Sequence, residues 1–169
     1  MEVAIPMLHL RPATLADIAT LRVLAQEIWR ACYPGIIPAG QIEYMLGWMY
    51  SAERIRSEFA DGVCWEIAEI AGAPAGFLAY AAEPDGRVKL HKLYLLPQHH
   101  GLGLSRQLLA HVAGKARALG AREVWLQVNK RNPRAIAAYQ RAGYRIASEA
   151  TFDIGGGYVM DDFLMACAV

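Results

Sequence analysis

The stretch LPQHHGLGLSRQLL, from Leu96 to Leu109, restricts the fold of this chain more than any other. It lies between KLYLL, which reads as a strand, and a run in which Leu104, Leu108, Val112, Ala116 and Leu119 recur on one helical face. Glycine gives up side-chain packing and costs backbone entropy on folding. Gly101 and Gly103 therefore need a reason. Either the turn takes a backbone shape that a Cβ forbids, or something approaches the backbone closely. Free amides at the helix start, with the partial positive charge of the helix dipole, suit the turn to a phosphate or pyrophosphate. A tight turn that needs glycine for φ alone is the alternative. The spacing is neither that of a Walker A loop, which needs GK[ST] after its second glycine, nor that of a dinucleotide GxGxxG.

Around that turn the apolar pattern lays out an order of elements. LHLRPAT reads as a first short strand, and Thr14 with Asp17 resembles a capping box. Ile18, Leu21, Leu24, Ala25, Ile28 and Cys32 then share one face of an amphipathic helix, which YPGIIPAG breaks. QIEYMLGWMY predicts a second helical region, and Ser51 caps a third piece holding Ile55 and Phe59. From Val63 the period changes. VCWEIAEI, the turn AGAP and AGFLAYAAE make a hairpin, and PDG turns into a third strand, RVKLHKLYLL. After the long helix, which ends near Gly120, comes a buried strand, REVWLQV. PRAIAAYQRA follows as a short helix with proline in its first turn and Gly143 past its end. YRIASEATFDI and YVMDDFLMACAV close the chain as a hairpin around GGG. Antiparallel strands first, then a strand-helix-strand unit, predict an α/β (α+β) fold: a mixed, mostly antiparallel central sheet flanked by helices. With no internal repeat or linker, residues 1–169 read as one domain.

Composition narrows the class of function. The chain is 55% hydrophobic and 20% charged, with a net charge of +1 and no basic block, so no nucleic-acid partner is expected. Cys32, Cys64 and Cys167 are widely spaced and form no CxxC pair, which predicts buried thiols in a reducing cytosol. MEVAIPMLHLRPAT has no charged leader followed by a long apolar run, and no apolar stretch is long enough to span a bilayer. A cytoplasmic protein with no membrane partner is the expectation.

Two blocks then carry a family resemblance. QHHGLG fits the Q/R-x-x-G-x-G/A signature of the GNAT superfamily of N-acetyltransferases, with Gln98, Gly101 and Gly103 at the marked places. VNKRNPRAIAAYQRAGY resembles the family's V-N-x-x-N-x-x-A-x-x-x-Y-x-x-x-G-F/Y pattern, and Asn129, Asn132, Ala135, Tyr139 and Gly143 all fall in place. The element order over nearly the whole chain is also similar to the family's, so residues 1–169 resemble a single GNAT domain. The resemblance implies acetyl-CoA as donor. It places the pantetheine arm on the backbone of the strand that includes Leu93, Tyr94 and Leu95. It places the pyrophosphate at Gln98 and on the amides of His99, His100, Gly101, Leu102, Gly103, Leu104 and Ser105.

Acetyl transfer to an amine needs a neutral nucleophile, a stabilised carbonyl oxygen and a proton for the departing thiolate. In this family a tyrosine at the position of Tyr139 resembles the general acid; a buried aromatic is the alternative. Asn132 precedes Pro133 and suits an N-cap, and family members often contact the CoA arm from here. Asn129 lies at the site or serves only as a turn residue. The family's commoner base is a glutamate on the strand before the glycine turn, and this strand has none. It offers Lys89, His91 and Lys92. Strict alternation places His91 on one face with Leu93 and Leu95, which makes His91 the candidate base. His99 and His100 do not pair with another ligand at metal spacing, and no metal is expected.

The resemblance draws the acceptor pocket from the first helices and the last hairpin, which supply Trp29, Tyr33, Tyr44, Met45, Trp48 and Tyr50. Helix packing is the alternative for at least half of these. Adjacent residues on a strand face opposite ways, so one of Asp161 and Asp162 reaches a cationic amine; Tyr33, Tyr44 and Asp161 are the acceptor contacts chosen. QIEYMLGWMYS and DIGGGYVMDDFLM are partly similar to bacterial members of the polyamine-acetyltransferase-like branch. A small-molecule primary amine is the acceptor this favours. A protein or peptide N-acetyltransferase and a non-catalytic acyl-CoA-binding domain are the rival readings. The apolar end of the last strand, if it is an exposed edge, predicts a homodimer.

Overall fold

A computed structural model describes residues 4–169; Met1 to Val3, at the head of the stretch in which no leader is read, lie outside the described residues. The chain opens on strand β1 (Leu8–Pro12). Asp17 then accepts from the Thr14 amide at 2.8 Å and starts a short turn into α1 (Ile18–Cys32). The break at YPGIIPAG separates α1 from α2 (Ala39–Met49). Ser51 Oγ accepts from the Arg54 amide at 3.1 Å and caps α3 (Ala52–Ala60).

The period-two stretch forms β2 (Cys64–Ile70), β3 (Ala73–Ala82) and β4 (Arg87–Leu95), an antiparallel meander that β1 extends by pairing with β2. Helix α4 (Leu104–Ala118) crosses over to β5 (Glu123–Asn129), which runs parallel to β4. Helix α5 (Pro133–Arg141) leads into the hairpin of β6 (Arg145–Gly155) and β7 (Tyr158–Ala168). The seven strands lie in the order β1-β2-β3-β4-β5-β7-β6, a mostly antiparallel sheet flanked by helices, as the sequence predicts.

Each face of the sheet has its own core. Trp65, Ile67, Phe77 and Ala79 pack against Leu21, Ile28 and Trp29 of α1, with Ile42 of α2 and Ile55 of α3. On the other face Leu78, Val88, Leu90 and Leu95 meet Leu104, Leu108 and Val112 of α4, with Val124, Leu126 and Met165.

Three expectations are corrected. β7 lies between β5 and β6, so the final strand is interior and the edges are β1 and β6. Cys64 is exposed, and Cys32 and Cys167 are half-buried at the margins of the two cores. Strict alternation along β4 also fails. Ala79 pairs with Lys92 and Tyr80 with Leu90, leaving His91 in a bulge. Leu93 and Leu95 therefore join Val88 and Leu90 under α4. Lys92 lies on the other face, its ammonium over the rings of Trp65 and Tyr50. His91 does not share the face of Leu93 and Leu95, because the extra residue shifts the phase.

Candidate active site

The parallel pairing of β4 and β5 stops after three residues, Arg87 with Glu123, Val88 with Val124 and Lys89 with Trp125. Beyond Lys89 the strands diverge. A cavity of about 830 Å³ opens between them, lined by residues 90–95 of β4 and 126–129 of β5. Backbone groups on the facing edges of the two strands lose their ladder partners there and are available to a ligand.

The glycine turn lies at the end of β4. Gly101 and Gly103 have φ of +77° and +75°, a left-handed conformation that side chains disfavour. A Cβ at either position would meet nothing within 4 Å, so the space in front of the turn is open. Gly103 is the N-cap of α4 and offers no side chain to its first-turn amides, and no acidic residue stands in that turn. The first-turn amides of α4 therefore have no side-chain cap. Ser105 and His100 line the cavity, and His100 Nε2 lies 2.8 Å from the Leu95 carbonyl, to which it donates in that tautomer. Gln98, His99, Gly101, Leu102 and Gly103 lie outside the cavity lining, and the Leu104 side chain is in the core under α4.

Tyr139, Asn129 and Asn132 come to the same cavity from the opposite side. Asn132 Oδ1 accepts from the Ala135 amide at 3.2 Å, the N-cap of α5, and Asn129 Oδ1 accepts from the Arg131 amide at 2.9 Å. Both asparagines therefore hold local structure while facing the cleft. Burial pushes the Tyr139 phenol well above its ordinary value, with the neighbouring Tyr33 adding to it. The phenol holds its proton.

On β4, burial lowers the His91 imidazole to about 4, and Lys89, Lys92 and Arg54 add to the shift. Sequence reasoning missed the carboxylate beside Lys92. Glu58 of α3 holds the buried Lys92 ammonium at 3.2 Å, and the two residues are 34 positions apart. No local pattern joins them.

The acceptor residues divide. Tyr33 lines the cavity, its hydroxyl 3.0 Å from that of Tyr94, and burial raises its phenol to about 12. Tyr44 does not line it. Its hydroxyl donates to the Ile154 carbonyl, and its ring lies beside Gly156 and Tyr158, so it fastens α2 to the β6–β7 hairpin. Asp161 also faces away, 2.9 Å from the Lys130 ammonium and 3.2 Å from the Thr151 hydroxyl. Asp162 turns inward instead, which corrects the choice of Asp161: Met160 beside it packs with the α1 face, while Phe163 packs with the α4 face. Asp162 is 2% exposed, and burial first, then Asp161, raises its carboxyl to about 6. Trp29 and Tyr50, at 2% and 1% exposure, are core residues.

Comparison with known proteins agrees with this architecture. Residues 23–144 match the family model described as acetyltransferase (GNAT) family. The chain is 38% identical over 90 residues to an uncharacterized N-acetyltransferase of Mycobacterium tuberculosis, a match covering 53% of this chain and 58% of that relative. The chain thus spans little more than half the length of the curated relatives it matches in this way. A spermidine N(1)-acetyltransferase of Thermoplasma acidophilum is 24% identical over 144 residues, 82% of this chain and 89% of that relative. The fold is similar to that of the PaiA N-acetyltransferase of T. acidophilum, solved in complex with coenzyme A. That pair has a TM-score of 0.81 and 23% identity over 96% of this chain and 99% of the other.

Proposed function

Since the chain belongs to the acetyltransferase (GNAT) family, we propose that it transfers an acetyl group from acetyl-CoA to a primary amine of a small molecule. The observation that carries this reading is the cleft where β4 parts from β5, with the uncapped start of α4 beside it. The freed backbone at Leu93 and Leu95 receives the pantetheine amides, and the amides from His99 to Ser105 receive the pyrophosphate. The thioester then lies within the cavity that Tyr139 lines. The acceptor nitrogen attacks the thioester carbon, the carbon–sulfur bond breaks, and Tyr139 gives its proton to the thiolate. Burial makes the phenol a reluctant acid, and the same burial makes the thiolate a stronger base, so the transfer stays matched. The amine enters from the side of Tyr33 and must first lose a proton. Among the cavity groups, His91 and Asp162 are the two candidates to take it.

The acceptor class is supported by the contacts that tie α2 to the β6–β7 hairpin. Gln41 Nε2 donates to the Val159 carbonyl at 2.9 Å, and Tyr44 donates to the Ile154 carbonyl, so α2 and the β6–β7 hairpin are joined over the acceptor side. An extended peptide backbone needs an open groove there. Likeness to a spermidine acetyltransferase points to the same class. The test is release of free thiol from acetyl-CoA with a panel holding spermidine, simple alkylamines, amino acids and a short peptide. Turnover with a small amine is expected. Turnover confined to the peptide would move the reading to a peptide acetyltransferase. Coenzyme binding without turnover on any amine would make the chain an acyl-CoA-binding domain.

A further inference from the structure

Among the described residues, three carboxylates line the cavity: Glu58, Asp153 and Asp162. Glu58 is held by Lys92. Asp153 is exposed and accepts from the Gly155 amide at 2.9 Å. Asp162 differs from both, because its Oδ2 is buried and has no hydrogen-bond partner. A buried carboxylate oxygen without a donor destabilises a fold, and such atoms are rare unless something outside the chain satisfies them.

None of the groups around Asp162 donates to its Oδ2. Lys130, after β5, holds Asp161 at 2.9 Å and Glu149 at 3.3 Å. Lys89 of β4 has its ammonium over the Trp125 ring at 4.9 Å. Tyr33 of α1 is paired with Tyr94. Asn129, opposite Asp162 in the ladder, accepts from the Arg131 amide. Asp162 lines the cavity, so a donor for Oδ2 can arrive from there. His91 offers the opposite environment, since Lys89, Lys92 and Arg54 all disfavour a cation beside it.

We propose that Asp162 receives the acceptor amine and removes its proton, in place of His91 and of the strand glutamate that β4 lacks. The assignment rests on the acetyl-transfer reading above. An incoming ammonium donates to Oδ2 and passes that proton to it. The neutral nitrogen then forms the bond to the acetyl carbon as the carbon–sulfur bond breaks. Tyr139 protonates the thiolate and is restored by the second proton that the nitrogen sheds as the amide forms, and Asp162 later gives its own proton to solvent. The raised carboxyl, at about 6, suits a base working near neutral pH.

Two measurements on the whole chain test this. In the first, spermidine or butylamine is titrated while the melting temperature is followed at pH 7.5. The amine should stabilise the wild type and Asp161→Asn, and its effect should vanish in Asp162→Asn. Retained stabilisation in Asp162→Asn overturns the proposal. In the second, thiol release is followed against pH with saturating acetyl-CoA and the best amine of the panel. Asp162→Asn should lose turnover about a hundredfold or more, with the limb near pH 6 gone and acetyl-CoA affinity unchanged. His91→Gln should leave that limb in place. A limb that moves with His91→Gln and stays in Asp162→Asn overturns the assignment. Absence of thiol release in the wild type counts against acetyl transfer instead. The melting titration still decides whether Asp162 receives the amine.

Discussion

Tyr139 offers a clean separation between packing and chemistry. Its ring packs near Tyr144, with centroids 5.7 Å apart, and Tyr139→Phe keeps that ring while removing the proton donor. If the phenol protonates the thiolate, turnover should fall by about a hundredfold to ten-thousandfold, with coenzyme affinity and melting temperature near wild type. Turnover within a few-fold of wild type would assign the proton to another donor. Asp162 makes a prediction about stability as well. Its carboxyl stands at about 6 in the fold against an ordinary 3.8, so the fold favours the protonated form. That contribution is fully present below 3.8 and is lost as pH rises through about 6. The difference is worth about 3 kcal/mol at most. Asp162→Asn escapes the loss, so it should melt higher than wild type at pH 8, by less at pH 6, and equally near pH 3.8. An Asn variant less stable than wild type at pH 8 would mean that a hydrogen bond to the carboxylate matters more than its burial.

At the scale of elements, the glycine turn takes the backbone shape that side chains disfavour, with left-handed φ at Gly101 and Gly103, and leaves the space before it open. Gly103→Val strains the backbone and fills that space, so acetyl-CoA affinity should fall about tenfold or more. Calorimetry on the folded variant checks it, and unchanged affinity would remove the turn from the coenzyme site. The strands, helices and their order were legible because each buries one face with its own period, and Ser51 and Pro133 mark boundaries by local chemistry. The His91 bulge was not legible, since a bulge exists only relative to the strand beside it. Gly76 shows the same limit. Read alone it weakens a strand, yet a Cβ there would run into the Tyr94 carbonyl and press on Leu95 at 3.0 Å, so glycine lets β3 and β4 approach. The choice between Asp161 and Asp162 also escaped the sequence. Alternation says they diverge, and only the pairing of β7 with β5 and β6 says which turns inward.

For the whole molecule, an assembly has to be argued from β6, not from the last strand. β6 runs 11 residues along the sheet edge, and Ile146 on it is 44% exposed. An edge of that length presents unpaired amides and carbonyls to a second copy. We expect a homodimer joined there, seen by light scattering and weakened by Ile146→Lys; a monomer at tens of micromolar would end the idea. The seam between β4 and β5 has a consequence of its own. The strands β1 to β4 and β5 to β7 are stitched together by three residue pairs, while under α4 the two groups share a continuous core. The sheet is therefore a pair of plates with a spine on one side and a free margin on the other, and it is along the free margin that the cavity opens. Amide exchange should register the plates as two units that open independently in the free protein. A long ligand lying in the gap would bridge them, and exchange on β5 would slow in step with exchange on β4.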